Sequence, residues 1–249
     1  MDYRDSHTSE NKGRQYDLYY ETDPWQAFMW SRERDRLDDI LCRHFRNREI
    51  HLLDFACGTG RISGFLESRV TSSVGIDVSE EMLKVASHTL KRTELVKADL
   101  TREKALAGQQ FNLITAFRFF TNAESDLRQA AMVELVGHLK DDGLLIFNNH
   151  HVPGSLYFRL ARIWQRIRGH SDNPRSRMMS VNETMSLAES NGMRIVETHP
   201  VGFLHVPGLL LPLRLIKAVE TLAGRMHLNA RLAESIIVVC AHQGSAPDG

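Results

Sequence analysis

Two glycines and two aspartates stand where short apolar runs of this sequence end. Gly58 and Gly60 follow the apolar run 52–56 and precede a segment with helical spacing. Glycine lets the main chain turn sharply there and approach a ligand closely. Asp77 ends the next apolar run, 19 residues after Gly58, near the spacing at which a carboxylate meets the ribose of a nucleotide-like ligand. Asp99 ends the following run, where it could accept a hydrogen bond from an adenine amino group.

The segments that carry these residues alternate between strand and helix patterns. Such alternation is typical of βαβ units and a parallel sheet, whose strands end at one common edge. Ser79 is predicted to cap one of the helices, and Asp141-Asp142-Gly143 is predicted to turn into the fifth strand. The five strands are predicted at 51–56, 73–77, 94–99, 111–117 and 144–148, with a helix over 125–139 before the last of them.

Helical patterns flank this alternating core. Spacing around Asp23-Pro24 predicts amphipathic helices within 16–45, and 156–167 has the pattern of a basic amphipathic helix. The remaining elements are predicted as helix 183–191, strand 194–197, helix 213–223 and strand 235–240, with loose termini at 1–14 and 243–249. This divides the chain into a terminus and helical lid at 1–48, a core at 49–152, a basic helical cap at 153–182, and a C-terminal completion of the core with a flexible tail at 183–249.

Composition excludes several classes of protein. With 249 residues, 31 basic and 31 acidic side chains, and only three cysteines, the chain is predicted to be a globular protein of a reducing compartment, the cytoplasm. Zero formal net charge does not favour a nucleic-acid partner. The polar residues 1–14 lack the apolar core of a signal peptide, and charges and prolines interrupt the apolar stretch 201–219, so we expect no membrane span.

Two other chemistries at the glycine loop are less favoured. A nicotinamide-binding loop would need glycine or alanine at position 63, which is Ser63. Cys57 lies where a helix begins, which can activate a thiol. A small residue that fills a tight turn is the preferred interpretation of Cys57.

The ordered motifs resemble those of the class I S-adenosylmethionine-dependent methyltransferases. The similarity covers about residues 50–150 and is consistent with the later elements up to 242. Ala56 departs from the family pattern, which usually has glycine there. The motifs are LLDFACGTGR, VGIDVSEEML, VKADLT, FNLITAFRFF and LKDDGLLIF.

The resemblance implies an α/β fold with a Rossmann-like, seven-stranded, mostly parallel sheet whose last strand is antiparallel. It also implies S-adenosylmethionine as cofactor and S-adenosylhomocysteine as product. Asp54 and the loop 56–60 would lie near the methionine part, Asp77 at the ribose, Asp99 with Leu100 at the adenine, and Phe117 near the sulfonium. The predicted cofactor-binding residues are Asp54, Ala56, Cys57, Gly58, Gly60, Asp77, Val78, Met82, Asp99, Leu100 and Phe117.

In this fold the methyl acceptor binds above the fourth and fifth strands. Arg118 is predicted either to clamp an anionic group of the acceptor or to pair with a neighbouring carboxylate. The aromatic residues before position 31 belong either to a lid or to the packing of the first helix. No metal is expected, because these loops carry no carboxylate before Glu124. The predicted acceptor-binding residues are Arg118, Phe119, Asn122, Asn149 and Tyr20.

His150 and His151 follow the fifth strand and are the predicted catalytic residues. A hydroxyl acceptor benefits from a positioned base, and histidine, with an ordinary pKa of about 6.5, suits neutral pH. The alternative is that both are loop histidines in contact with solvent. The Asn/Asp-Pro-Pro-aromatic tetrad of amino-methylating enzymes is replaced by Phe117–Asn122.

Positive charge concentrates after the fifth strand. Between positions 143 and 182 there are six arginines and one acidic residue, a net charge of +5. Such a helix can lie on an anionic membrane surface, cover an anionic acceptor, or simply present a solvated face.

These observations predict a methyltransferase for a small molecule, at a hydroxyl of a sugar or another polar or amphiphilic metabolite. The alternatives are a protein or RNA methyltransferase and a binding protein that keeps the cofactor pocket without chemistry. Peripheral membrane contact is compatible with the basic cap. The acceptor and the oligomeric state are not fixed by the sequence.

Overall fold

The computed structural model describes residues 22–167, 177–203, 213–225 and 229–244. Strands and helices alternate through the first half of the chain. The helices are α1 (Pro24–His44), α2 (Arg61–Leu66), α3 (Glu80–Thr89), α4 (Ser125–His138), α5 (Leu156–Ile167), α6 (Val181–Glu189) and α7 (Leu213–Arg225), with a 3₁₀ turn at Ala230–Leu232. The strands are β1 (His51–Phe55), β2 (Ser72–Asp77), β3 (Thr93–Lys97), β4 (Phe111–Ala116), β5 (Leu139–Asn149), β6 (Met193–Val201) and β7 (Ser235–His242).

All seven strands form one sheet in the order β3-β2-β1-β4-β5-β7-β6. β1 pairs in parallel with β2 and β4, β2 with β3, and β4 with β5, whereas β7 runs antiparallel to both β5 and β6. From β1 the chain adds β2 and β3 on one side of the sheet, and it then crosses to the other side of β1 to add β4 and β5. This is the point at which open α/β sheets bind ligands. The predicted sheet, with its antiparallel last strand, is confirmed.

Alternating side chains place a hydrophobic cluster on each face of the sheet. Leu53, Ile114 and Leu145 face one cluster, which contains the buried side of α4. Their neighbours Leu52 and Leu113 face the other cluster, which contains the buried side of α1. Both faces of the inner strands are therefore covered, as expected for a parallel sheet.

The turn predicted at Asp141-Asp142-Gly143 is wrong. These residues lie inside β5, because Phe111 pairs with Leu139 and Leu113 already pairs with Leu144. Between these two pairs the chain advances two residues on β4 but five residues on β5, so the three extra residues of β5 form a bulge. The hydrophilic triplet is typical of residues that do not pair with a neighbouring strand. A bulge leaves such residues unpaired without ending the strand.

Several other boundaries also differ from the predicted ones. The sixth strand, predicted at 194–197, extends over Met193–Val201, since it pairs along its length with β7 through an irregularity between Ile195 and Glu197. Within the described part of the predicted helical region 16–45, one helix covers Pro24–His44, and residues 16–21 lie outside the described ranges. Asp23 caps α1 by accepting hydrogen bonds from the main-chain nitrogens of Trp25 and Gln26.

Some predictions fall on residues outside the described ranges. These are the loose terminus at 1–14, residue Tyr20, most of the apolar segment after position 203, and the tail from 245 onward. Within the described part of the chain, none of the helices combines the length and apolar character needed to cross a membrane.

Candidate active site

Two adjoining cavities lie at the carboxyl edge of the sheet, and they share Ala56 and Asp77. The first is lined by the glycine loop, by Arg61 and by the residues after β4. The second extends between the ends of β1, β2 and β3 and is lined largely by apolar side chains such as Phe55, Leu100 and Phe119. A ligand that spans both cavities would therefore meet a charged end and an apolar end.

Asp77 holds the glycine loop in place at the junction of the cavities. One of its carboxylate oxygens accepts a hydrogen bond of 2.9 Å from the main-chain nitrogen of Gly58, and the other accepts one of 2.8 Å from that of Ser79. Ser79 in turn caps α3 through Met82. Both Gly58 and Gly60 have positive φ angles, of 56° and 81°, which glycine adopts without strain.

Asp54 is buried at the end of β1 and ties three elements together. One oxygen accepts hydrogen bonds from the main-chain nitrogen and the hydroxyl of Ser63, at 3.0 and 2.6 Å. The other accepts one of 2.8 Å from the hydroxyl of Thr115 on β4. Burial raises the pKa of the Asp54 carboxyl to about 6, although these hydrogen bonds and the charge of Arg61 oppose the rise. Asp54 lines the first cavity, but its oxygens are already engaged in the scaffold.

Cys57 is buried, and its burial together with the charges of Asp54 and Asp77 raises the pKa of the thiol. A thiol that stays protonated is a poor nucleophile. The preferred interpretation of Cys57, a small residue in a tight turn, agrees with this environment.

Arg118 follows β4 in a left-handed conformation, with φ of 61°. Its main-chain nitrogen donates a 2.6 Å hydrogen bond to the side-chain oxygen of Asn148, whose amide nitrogen donates to the fully buried Glu33 at 3.1 Å. The Arg118 guanidinium donates to Gln26 on α1. Left-handed residues other than glycine are uncommon, and Ala56 (φ 53°) and Arg118 both line the first cavity.

Glu33 also accepts a 2.9 Å hydrogen bond from Arg61, the residue directly after Gly60. The Arg61 guanidinium carbon lies 4.2 Å from the centre of the Trp30 ring. Helix α1 thus holds a cation beside the glycine loop. Trp30 and Trp25, whose indole donates to Glu234, pack within the body of the protein, which favours the packing interpretation over the lid.

The last residue of β5, Asn149, and the two histidines that follow it differ in burial and contacts. Asn149 is fully buried, where its side chain bonds to Thr121, Thr184 and the carbonyl oxygen of Met179. His150 is 7% exposed, while His151 is half-buried. The two imidazole rings lie 4.4 Å apart, and the His151 ring meets the edge of Phe158 at 5.8 Å.

The cavities bring together most of the predicted site residues. They include ten of the eleven predicted cofactor residues, all except Gly60, and three of the predicted acceptor residues, Arg118, Phe119 and Asn122. Gly60 begins α2, where a Cβ would lie 2.7 Å from the Leu90 side chain. Asn149, His150 and His151 are not among the described residues that line these two cavities.

Sequence reasoning missed some of the cavity walls. Arg61 is the most important lining residue that was not predicted. Its position directly after Gly60 could have indicated that it lies beside the glycine loop. Thr101, whose hydroxyl donates to Asp99 at 2.6 Å, had no such signal. The other unpredicted lining residues are Phe55, Thr59, Ile62, Ile76, Ala98 and Leu127. In the described part of the chain, no group of three or more His, Cys, Asp or Glu side chains could hold a metal ion.

Comparison with known proteins identifies a domain that contains the glycine loop and Asp77. Residues 52–143 match the sequence profile of a methyltransferase domain. This match supports a class I S-adenosylmethionine-dependent methyltransferase. A protein of Geobacillus sp. (strain WCH70) that is named only as a methyltransferase is 29% identical over 137 residues, which cover 51% of this chain and 50% of that protein. The chain therefore matches half of the length of this relative.

Solved structures share the fold of this chain along almost its whole length. The magnesium protoporphyrin IX methyltransferase of Synechocystis PCC 6803, with bound S-adenosylhomocysteine, superposes with a TM-score of 0.65 at 15% identity, covering 96% of this chain and 97% of that one. An S-adenosylmethionine-dependent methyltransferase from Clostridium acetobutylicum superposes with a TM-score of 0.60 at 16% identity, covering 93% and 98%. The glycine loop and Asp77 lie within the residues that match the methyltransferase domain.

Proposed function

We propose that this methyltransferase binds S-adenosylmethionine across the two cavities and transfers its methyl group to a hydroxyl of a small polar or amphiphilic molecule. The observation that carries the cofactor assignment is the division of the site. One end holds Arg61 and the other is an apolar slot, and Asp77 lies between them. The ligand has the same sequence of parts: an amino-acid end, a ribose and an adenine. When bound, it supplies an electrophilic methyl group on a sulfonium sulfur.

Arg61 is the proposed partner of the cofactor's carboxylate. Its guanidinium lines the first cavity, and contacts with Glu33 and Trp30 fix its direction, so little side-chain entropy is lost on binding. Glu33 is then a positioning residue. It connects Arg61 with Asn148, and through Asn148 with the main chain of Arg118.

His151 is the proposed general base for the hydroxyl. It is more exposed than His150, and it lies three residues after Asn148, which contacts the cavity residue Arg118. The imidazole would hold the proton that the acceptor oxygen loses. Arg118 and Asn122 line the first cavity and are proposed to contact the acceptor, whereas Phe119 lines the second cavity, where its ring packs edge-on against Phe55.

Binding of two ligands tests the cofactor assignment. S-adenosylhomocysteine carries the amino-acid end, whereas 5′-methylthioadenosine lacks it. We expect Arg61→Gln to raise the Kd of the first about 10- to 150-fold, which corresponds to one charged hydrogen bond, and to leave the Kd of the second within threefold.

Arg69→Gln is the matched control. Arg69 follows the same helix, pairs with Asp38 and lies 4.3 Å from the Phe65 ring, so it makes the same kinds of contact outside the cavities. Equal loss of both ligands in Arg61→Gln would assign the residue to stability. A wild-type protein that binds neither ligand would refute the cofactor assignment.

Turnover tests the reaction separately. Labelled S-adenosylmethionine incubated with extracted metabolites is expected to give a labelled small molecule that survives protease and nuclease treatment. Label lost to protease or nuclease would point to a macromolecular acceptor. Tight cofactor binding without any transfer would favour the binding-protein alternative.

A further inference from the structure

Helix α5 presents a row of apolar side chains to solvent. Leu156, Leu160 and Ile163 are 37%, 41% and 55% exposed. Their spacing of four and three residues puts them on one face of the helix. Single exposed apolar residues are common on proteins, but a continuous row along two turns is typical of an interaction surface.

Positive charge borders this row. Arg159 and Arg162 are exposed on the same helix, and Leu156–Ile167 contains no acidic residue. The whole chain is neutral, so the charge here is local. Aliphatic side chains beside arginines form the pattern of helices that lie in the plane of an anionic membrane surface.

The opposite side of α5 is fixed to the protein. Phe158 packs edge-on against the ring of His151, which follows β5, and at the start of the helix its main-chain nitrogen donates to the hydroxyl of the buried Ser155. The helix is therefore held with its apolar row outward, so the row is available without unfolding.

We propose that the α5 face, defined by Leu156, Arg159, Leu160, Arg162 and Ile163, binds the surface of an anionic lipid bilayer. The aliphatic side chains enter the headgroup region, and the arginines pair with lipid phosphates. A second copy of this chain fits the face less well, because a symmetric contact would bring the arginines of both copies together. Single-stranded RNA is bound through aromatic stacking, which an aliphatic row does not provide. The binding does not depend on the proposed methyl transfer.

Sedimentation of the full chain with vesicles tests the proposal. We expect binding to vesicles of phosphatidylcholine mixed with phosphatidylglycerol, weak binding to pure phosphatidylcholine, and a decline as salt rises. Leu160→Ser is expected to lower the partition coefficient about 10-fold. Arg159→Gln with Arg162→Gln is expected to lower it about 30-fold, at about fivefold for each charge near the surface.

Two matched controls change the same residue types elsewhere. Val133→Ser alters an apolar side chain that is 52% exposed on α4, and Arg46→Gln removes an exposed charge before β1. Both are expected to bind vesicles like the wild type, and the affinity for S-adenosylhomocysteine serves as the test of folding in every variant.

Three results would overturn the proposal. The first is the absence of binding to either vesicle, and the second is equal loss in the controls and the α5 variants. The third is a dimer, seen by analytical ultracentrifugation, that Leu160→Ser dissociates while vesicles remain unbound. That result would assign the face to a second copy of the chain.

Discussion

The two sides of the sheet's carboxyl edge are held by different kinds of contact. On the glycine-loop side, Asp77 bonds to the main-chain nitrogens of Gly58 and Ser79, so the loop shape follows from glycine conformation and a nearby carboxylate. On the side of β4 and β5, the Asn148 side chain joins the main-chain nitrogen of Arg118 to the Glu33 side chain, which comes from a distant part of the sequence. The first side depends on one carboxylate and main-chain nitrogens, whereas the second depends on a contact between two particular side chains, Asn148 and Glu33.

The same contrast holds for the two left-handed residues. Ala56 occupies a position where glycine would relieve the strain, and no particular side chain is needed there. The main-chain nitrogen of Arg118 donates to Asn148, its guanidinium donates to Gln26, and the residue lines the first cavity. Strain at Arg118 is thus coupled to the identity of the side chain, which is typical of a functional position.

The largest effect should come from the acceptor side. We expect His151→Ala to lower kcat about 100- to 10,000-fold while the Kd of S-adenosylhomocysteine stays within threefold, because a general base acts in the transition state. Stopped turnover assays and calorimetric titration give the two numbers. Partial recovery of kcat at higher pH would support the base, because a hydroxyl then ionises more readily without help.

His150→Ala is the comparison for this variant. His150 is the more buried of the two neighbouring rings, so it should affect stability more than chemistry. Full activity in both variants would mean that neither histidine is the base. Loss of cofactor binding in both would mark the pair as structural.

The next effect concerns Asp54 and the pH dependence of stability. Its pKa of about 6 in the fold exceeds the ordinary value of 3.8, so the proton is bound more tightly in the folded protein. The stabilisation it gives is complete below about pH 4 and is lost as the pH rises through 6. A shift of about two units corresponds to about 3 kcal/mol.

Asp54→Asn removes this titration and supplies the reference. Urea unfolding at pH 4, 5, 6 and 7 should show the stability of the wild type minus that of the variant falling by about 2.5 kcal/mol over this range. A difference that stays constant with pH would show that the Asp54 carboxyl does not titrate there.

Asp77 tests the cofactor side directly. We expect Asp77→Ala to raise the Kd of both S-adenosylhomocysteine and 5′-methylthioadenosine about 10- to 150-fold, because both ligands carry the ribose. This pattern differs from that of Arg61→Gln, which should affect only the first. Glu94→Gln, at an exposed carboxylate on the neighbouring β3, is the control, and an unchanged Kd in folded Asp77→Ala would remove Asp77 from the site.

The contrast also explains what the sequence could predict. The order of elements and the loop residues Gly58, Asp77 and Asp99 follow from local patterns, because strand ends and glycine turns are encoded within a few residues. The Asn148 network is not encoded locally, since Glu33 lies 115 residues away from Asn148 along the chain. The β5 bulge was missed for the same reason, because pairing with β4 decides whether a hydrophilic triplet turns or bulges.

The smallest effect is expected at Ala56, where only the main chain matters. An alanine at φ of 53° is strained by about 1 kcal/mol, and glycine removes that strain but loses more conformational entropy on folding. We therefore expect Ala56→Gly to stabilise the protein by about 0.5 kcal/mol, or about 1 to 2 °C in Tm, with an unchanged Kd for S-adenosylhomocysteine. Gly60→Ala is the opposite case, because φ is 81° and the added Cβ would lie 2.7 Å from the Leu90 side chain, so it should lower Tm clearly. A destabilised Ala56→Gly variant would show that the alanine methyl packs usefully between the two cavities, and the glycine-loop side would then depend on side chains as the acceptor side does.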